Sequence, residues 1–502
     1  MGPGVGYTGW FMTRDTNTRF FGHPAGLSTL FFTELWERFG YYGMRALLVL
    51  FMTAAASSGG LGYDVPKAYA IYGLYTASVY GLSLPGGWVA DRILGQQRAV
   101  LAGGVLIAIG YLMLALPAEP AFFAGMVIVA FGTGLLKPNI STIVGQIYQP
   151  GDPRRDSGFS VFYMGINIGS TLAPLACGWV GERINWRLGF AMAGAGMVLG
   201  VITYLRGLSR LGAAGLKPVE PPTPEIGRQW RRSFRNGLAG VAGLFALLAA
   251  LHFSGLMELS AERLVNGAGF VLFAITLGLF GWMFLGGGWT PDERKRLAVI
   301  AVLFWGSALY WAAFEQAGSS FNLFAKHNTG NVLWGFNFPA SWFQSLNAGF
   351  IIVLAGVFAW VWIRLGDRQP GSVMKFSLAL LCATLSFVVM MAAAQGAGAT
   401  GRVSPMWLVV TYLLQTVGEL LLSPVGLSAM TKLAPARVGG LMMGVWFLSL
   451  SMGNYLAGRT AAYYGNLPPY ELFKSMAMIM AVAAVALALL ARPVARMMRS
   501  IQ

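Results

Sequence analysis

The sequence predicts an all-α polytopic membrane protein, and three observations lead there. Of its 502 residues, 56% are hydrophobic and only 11% are charged, whereas soluble globular domains carry about a quarter charged residues. Mean hydropathy is +0.61. Stretches apolar enough to cross a hydrocarbon layer of about 30 Å, which takes about 20 helical residues, recur near 27–54, 67–90, 98–116, 121–145, 157–182, 187–207, 237–255, 265–288, 296–324, 341–364, 374–394, 405–431, 438–462 and 471–491. The expectation is therefore 14 transmembrane helices.

The net charge of +16 does not point to nucleic acid, because the basic residues are scattered through short loops instead of forming a patch. Their placement sets orientation. With the amino terminus inside, one face gathers roughly three times as many Lys and Arg as the other, from Arg92/Arg98, Arg154/Arg155, Arg206 to Arg235, Arg294 to Arg296, Arg364 to Lys375 and Arg492 to Arg499. Both ends are thus expected in the cytoplasm. The first 26 residues contain no apolar core of signal-peptide type. Cys177 and Cys382 both fall within apolar stretches, so neither a disulfide framework nor a metal site is expected.

The longest polar interruption, Arg206 to Arg235, is basic and proline-rich and reads as a linker. It divides the chain into a cytoplasmic segment at 1–26, a six-helix half at 27–207, linkers with an added two-helix hairpin at 208–295, and a second six-helix half at 296–502. That is the layout of the major facilitator superfamily, whose substrate site lies at mid-membrane between the halves.

The first stretch carries ELWERFGYYGMR at Glu34 to Arg45. At about 100° per residue, Glu34, Arg38, Tyr41 and Arg45 share one stripe, with Glu37 at its edge. An ionisable group at mid-bilayer costs about 2.5–3.5 kcal/mol, so four on one helix argue for a lined pathway; a Glu/Arg bridge between helices would be the purely structural use. The second stretch ends in GGWVADRILG at Gly86 to Gly95, where paired glycines let helices approach and Asp91 and Arg92 sit at the basic rim. This resembles the loop motif of the same superfamily.

The fourth stretch holds Lys137 beside Pro138, in GTGLLKPNIST. Proline removes a backbone donor, and a buried lysine there wants an anion: Glu34, Glu37 or a substrate carboxylate. The fifth supplies FYMGINIGS, with Tyr163 and Asn167 on one face and Gly165, Gly169 and Ser170 allowing close packing. In the second half come FEQAGSSFNLF at Phe314 to Phe324, FQSLNAGF at Phe343 to Phe350 and GELLLSPVGLSAM at Gly418 to Met430.

These motifs, in order along nearly the whole chain, resemble the proton-dependent oligopeptide transporter family, bacterial type, whose members carry a similar added hairpin. The resemblance implies a proton-coupled symporter importing di- and tripeptides by alternating access, with protons as coupling ion and no cofactor. It implies that Glu34, Glu37, Arg38, Lys137 and Glu315 couple protons. Arg45 and Lys137 would meet the peptide carboxylate and Glu419 its amino terminus, while Tyr41, Tyr42, Tyr80, Asn167, Trp311, Glu315, Gln316, Asn347, Ser423 and Trp446 would line the pocket. Asp91 and Arg92 would form a gating loop. A monomer in the inner cell membrane is expected.

The residue chemistry agrees. A short peptide is a zwitterion whose ends separate by about 3.3–3.6 Å per residue, so a cationic cluster in one half and a carboxylate in the other would clamp both ends and measure length. Asn and Gln can meet the backbone amides, and aromatic walls tolerate varied side chains. Coupling needs groups whose proton affinity changes between states, and making or breaking Glu37–Arg38 and Glu34–Lys137 contacts would provide that. His23, His252 and His327 are not placed for a core relay. No HExxH or GxSxG appears, so an enzyme is not expected. Another anionic or zwitterionic solute is the alternative cargo, which Glu419 disfavours.

Other features read more plainly. Met442, Met443 and Met452 are expected to pack. Trp10, Trp179, Trp186, Trp289 and Trp407 fit an interfacial belt. Arg228 to Arg235, with Trp230, is expected to lie against anionic lipid.

Overall fold

A computed structural model describes residues 18–149, 152–257, 260–286, 288–398, 401–434, 439–464 and 467–499. Trp10, Arg14 and Arg437 lie outside them, as does the side chain of Met443. The first half comprises α1 (Gly26–Thr53), α2 (Val65–Gly81) with its short continuation α3 (Ser83–Val89), α4 (Gln96–Leu114), α5 (Glu119–Gln146), α6 (Arg155–Arg183) and α7 (Trp186–Leu211). The hairpin is α8 (Pro224–Phe253) and α9 (Ala261–Leu285). The second half comprises α10 (Pro291–Phe314) with α11 (Ser320–His327), α12 (Ser345–Leu365), α13 (Ser372–Ala397), α14 (Met406–Leu433), α15 (Gly439–Tyr464) and α16 (Pro469–Arg499).

The 14 long helices match the expected spans, and 11 of the described helices are long and apolar enough to cross a membrane. Of the others, α1 carries four ionisable side chains and α2 has only 17 residues.

The termini follow local chemistry. Asn185 caps α7 through its side chain, accepting from Arg187 and Leu188 N–H, and Thr290 forms a capping box with Glu293 at α10. The ninth span breaks where the sequence reads as continuous: α10 ends at Phe314, a tight turn covers Glu315–Gly318, and α11 follows. Gly318 fits there only without a Cβ, which would collide with Tyr72. The linker is shorter than expected. Helix α7 runs on to Leu211, and Thr223 caps α8 with Pro224 at its first position, where proline's missing donor is harmless. The irregular stretch is thus 212–223, and Arg228 to Arg235 are helical.

Within the first half α1 packs on α6 and α7, and α4 on α5 and α7; within the second, α13 packs on α14 and α16, and α10 on α15. Glycines make the close contacts possible: a Cβ on Gly169 would strike the Leu35 carbonyl, and Gly103 and Gly132 meet backbone to backbone. The halves touch through α2 on α15 and α6 on α12, with Gly73 and Gly458 in direct apposition. Helix α9 rests on α2, α10 and α15. Helix α8 has none of its apolar window buried against protein.

The described bonds between the halves lie at mid-membrane or on the face poor in basic residues. Lys326 pairs with Glu182 at 2.8 Å, Arg183 donates to Asn337, Trp342 Nε1 to the Leu175 carbonyl, Asn322 to the Ala46 carbonyl and Ser451 to the Ala77 carbonyl. Trp289, expected in the interfacial belt, is instead 7% exposed beside Trp282. Trp230 likewise faces protein, with its ring 4.9 Å from the Arg92 guanidinium. Trp179 and Trp407 are exposed, while Met442 and Met452 are fully buried, as packing residues should be.

Candidate functional site between the two halves

Helix α1 is buried on nearly all faces, which is why its charges must find partners in the protein. They do so as two groups. In its middle third, Arg38 forks onto Glu37, with a short Nε contact and Nη2 to Oε1 at 2.7 Å, and lies 3.4 Å from Glu34 Oε1. The other Glu34 oxygen has no partner. The Tyr41 ring stacks 5.0 Å from the Arg38 guanidinium.

Seven residues on, about 10 Å along the axis, Arg45 belongs to a different cluster. Its Nη2 donates to Glu315 Oε2 at 3.0 Å and its Nε to Tyr72 Oη at 2.8 Å. Tyr72 Oη in turn donates to Glu315 Oε2 at 2.7 Å. Glu315 occupies the break after α10, so this closed triangle joins the two halves. Tyr72 was not expected from the sequence; the signal available was the tyrosine run of α2, Tyr69, Tyr72, Tyr75 and Tyr80, set in an otherwise small-residue helix.

Lys137 is half-buried on α5, and its Nζ lies 4.1 Å from the Tyr80 ring centroid. Among the described residues it makes no ion pair within 4.0 Å, so neither expected carboxylate contact is formed. Pro138 beside it cannot donate to the Gly134 carbonyl four residues back. Gly86 of α3 lies against that same oxygen, where a Cβ would collide, so the GGW motif seals the backbone group that KPN leaves open.

In the second half Asn347 of α12 donates to Glu419 Oε2 at 2.9 Å and to Thr416 at 3.1 Å. Glu419 and Ser423 are half-buried, and Ser423 Oγ has no partner. Trp311 Nε1 is also unpartnered. Trp446 is buried against Gly426. Two expected pocket residues are occupied elsewhere. Gln316 is fully buried, its amide donating to the Ala312 and Ala457 carbonyls and its oxygen accepting from Ser319 and Ser320, while Asn167 donates to the carbonyl of Tyr163 on its own helix. Tyr42 faces Arg45 at 5.6 Å.

Asp91 and Arg92 occupy a wide turn, Ala90–Leu94. Asp91 Oδ1 accepts from Gln96, its carbonyl accepts from Val219 N–H at 2.7 Å, and Arg92 lies between Trp88 and Trp230. Among the described residues no three His, Cys, Asp or Glu gather as metal ligands.

The arrangement is a set of exchangeable charges contributed by both halves, with buried polar atoms of Glu34, Trp311 and Ser423 left unpartnered among them. The model of the POT family matches residues 97–230 and 282–469. A peptide transporter of Yersinia enterocolitica is 41% identical, with 98% of this chain and 99% of that protein covered, and a di-/tripeptide transporter of Lactococcus lactis is 36% identical over 97% and 99%. A crystal structure of a POT peptide transporter in complex with sulfate shares 42% identity at a TM-score of 0.90, covering 95% of this chain and 96% of that one. A POT family transporter in complex with a thioalcohol-conjugated peptide has a TM-score of 0.89 at 34% identity, over 95% and 98%.

Proposed function

This chain belongs to the POT family, and from that membership we propose that it is a proton-coupled symporter importing di- and tripeptides by alternating access. It works as a monomer in the inner cell membrane, surrounded by lipid, with both ends cytoplasmic, protons as coupling ion and no cofactor. The moving units are the halves 27–207 and 296–502, with 208–295 as an accessory.

The observation that carries the reading is the triangle of Arg45, Tyr72 and Glu315. A peptide carboxylate competes with Glu315 for Arg45, and a proton on Glu315 removes the charge that holds Arg45, so binding and protonation release the same contact between halves. Glu37 holds Arg38 in the lower cluster, where Glu34 has an oxygen free to accept a proton and Lys137 has no carboxylate, leaving it to meet the substrate. Across the cleft, Glu419, positioned by Asn347, receives the peptide's amino terminus. Tyr41, Tyr42, Tyr80, Trp311, Ser423 and Trp446 form the wall; Asn167 and Gln316 shape it through backbone bonds. Asp91 and Arg92 serve as the gate-side loop.

The test is uptake of radiolabelled dialanine into proteoliposomes, with and without an inward proton gradient, competed by free alanine, tripeptide and tetrapeptide. Gradient-driven uptake blocked by di- and tripeptides alone supports the proposal. Absence of dialanine transport in correctly oriented vesicles overturns it and points to another zwitterionic or anionic solute.

A further inference from the structure

Helix α8 has two unlike ends. Residues 236–253 are apolar apart from Asn236 and His252, largely exposed and long enough, at 1.5 Å per residue, to cross about 27 Å of hydrocarbon, while the turns before them carry Arg228, Arg231, Arg232 and Arg235. At 100° per residue these four fall within an arc of about 100°, and all four are exposed. The opposite arc holds Gly227, Trp230 and Phe234, which are buried or half-buried, and Trp230 meets Arg92 there. The arginine face therefore points away from the protein, at the depth where the hydrocarbon gives way to headgroups on the basic side. Among the described residues none of the four makes an ion pair or hydrogen bond with the chain, and Glu225 is the one carboxylate on this stretch of helix.

We propose that this face is a binding site for anionic phospholipid headgroups, and that its occupancy acts on the Asp91–Arg92 loop. A row of guanidiniums about 10 Å long along the axis matches phosphate oxygens bidentately. The membrane fixes where those phosphates are, which a free anion would not exploit. Because Trp230 projects from the other side of the same turns, headgroups gripping the arginines fix the rotation and depth of α8 and so hold the indole on Arg92, beside the backbone bond from Val219 N–H to the Asp91 carbonyl. Anionic lipid thus stiffens the loop between α3 and α4 without touching the cleft.

The experiment has a binding arm that is independent of transport. Thermal unfolding of the solubilised full chain is followed with phosphatidylglycerol, phosphatidylcholine or inorganic phosphate. Phosphatidylglycerol alone should raise the midpoint, and the variant R228Q/R231Q/R232Q/R235Q should lose the rise, its apparent affinity for the lipid falling by about tenfold or more. An equal rise in the variant, or the same rise with inorganic phosphate, overturns a lipid site. A second variant with all four arginines replaced by lysine keeps the charge and loses the bidentate fork, so it should retain a smaller rise than the unaltered chain; no rise together with a lowered basal midpoint would assign the arginines to folding instead. For the coupling, phosphatidylglycerol should stimulate uptake by the unaltered chain several-fold, and Trp230→Ala should still bind the lipid while losing that stimulation. Stimulation equal to that of the unaltered chain overturns the coupling and leaves the binding site.

Discussion

Arg45 on α1 and Glu315 at the break after α10 stand 3.0 Å apart, and both are nearly fully buried. This ion pair crosses the cleft between the halves, and Tyr72 bonds to both partners. Removing one member of a buried pair leaves an uncompensated charge costing about 3–5 kcal/mol. Arg45→Ala should therefore lower the unfolding midpoint by several degrees and abolish uptake. Tyr72→Phe, which removes one hydroxyl bonded to both charged partners and leaves the pair, should cost less, about 1.5–3 kcal/mol. Thermal unfolding of both variants checks the ranking.

Glu37 anchors the lower cluster by accepting two bonds from Arg38. In Glu37→Gln the charge is lost and the shape kept. Uphill uptake should disappear while counterflow exchange persists, and retained uphill uptake would sink the coupling role.

Asn347 donates to one oxygen of Glu419, and the proposed function gives the other oxygen to the peptide's amino terminus. A hydrogen bond to a charged group is worth about 1.5–3 kcal/mol, so Glu419→Gln should weaken competition by dialanine about 10–100-fold. N-acetyl-dialanine, which lacks the charged amino terminus and should compete poorly from the outset, should change little. Equal weakening of both peptides would remove Glu419 from the amino terminus.

Gly169 of α6 packs on the Leu35 carbonyl, next in sequence to Glu34. Gly169→Ala should push α1 from α6 and destabilise by about 1–3 kcal/mol. Gly349, with nothing within 4 Å of its would-be Cβ, is the matched control, and Gly349→Ala should be neutral in the same melt.

Outside the membrane, hydrogen bonds from the Arg154 side chain and backbone hold the Asp152 carboxyl below the usual aspartate range. A carboxyl depressed on folding stabilises fully above its unfolded value, near pH 4, and loses that contribution as pH falls through the folded value. Melting curves of Asp152→Asn should run below those of the unaltered chain from pH 5 to 8 and converge with them below about pH 4.

Much of this was legible in the sequence because membrane spans announce themselves by length and apolarity, and the α1 stripe by charges where none should be. What escaped depended on pairing across distance. Nothing in the sequence ties Tyr72 to Glu315, 243 positions away, or marks the break after Phe314, which Tyr72 and Gly318 shape together. Lys137 was expected to meet a carboxylate, yet Arg38 already occupies Glu37, and Lys137 lies over Tyr80 instead. Trp230 and Trp289 looked like interface residues because an indole at the end of an apolar span is ambiguous until its neighbours are known. The linker was drawn too long because arginine-rich helix resembles arginine-rich coil when no apolar period runs through it.

The bonds that join the halves, Lys326 with Glu182, Arg183 with Asn337, Trp342 with Leu175 and Asn322 with Ala46, gather toward one face. In kinetic terms this makes the empty carrier's return the costly step of each cycle, since it must break that whole row with no cargo to replace any of it. By the proposed function the substrate of a loaded carrier takes Arg45 from Glu315, so it crosses with one further contact between the halves already released. Exchange of labelled for unlabelled peptide should accordingly outpace net accumulation, and saturating peptide on the receiving side should speed the entry of label.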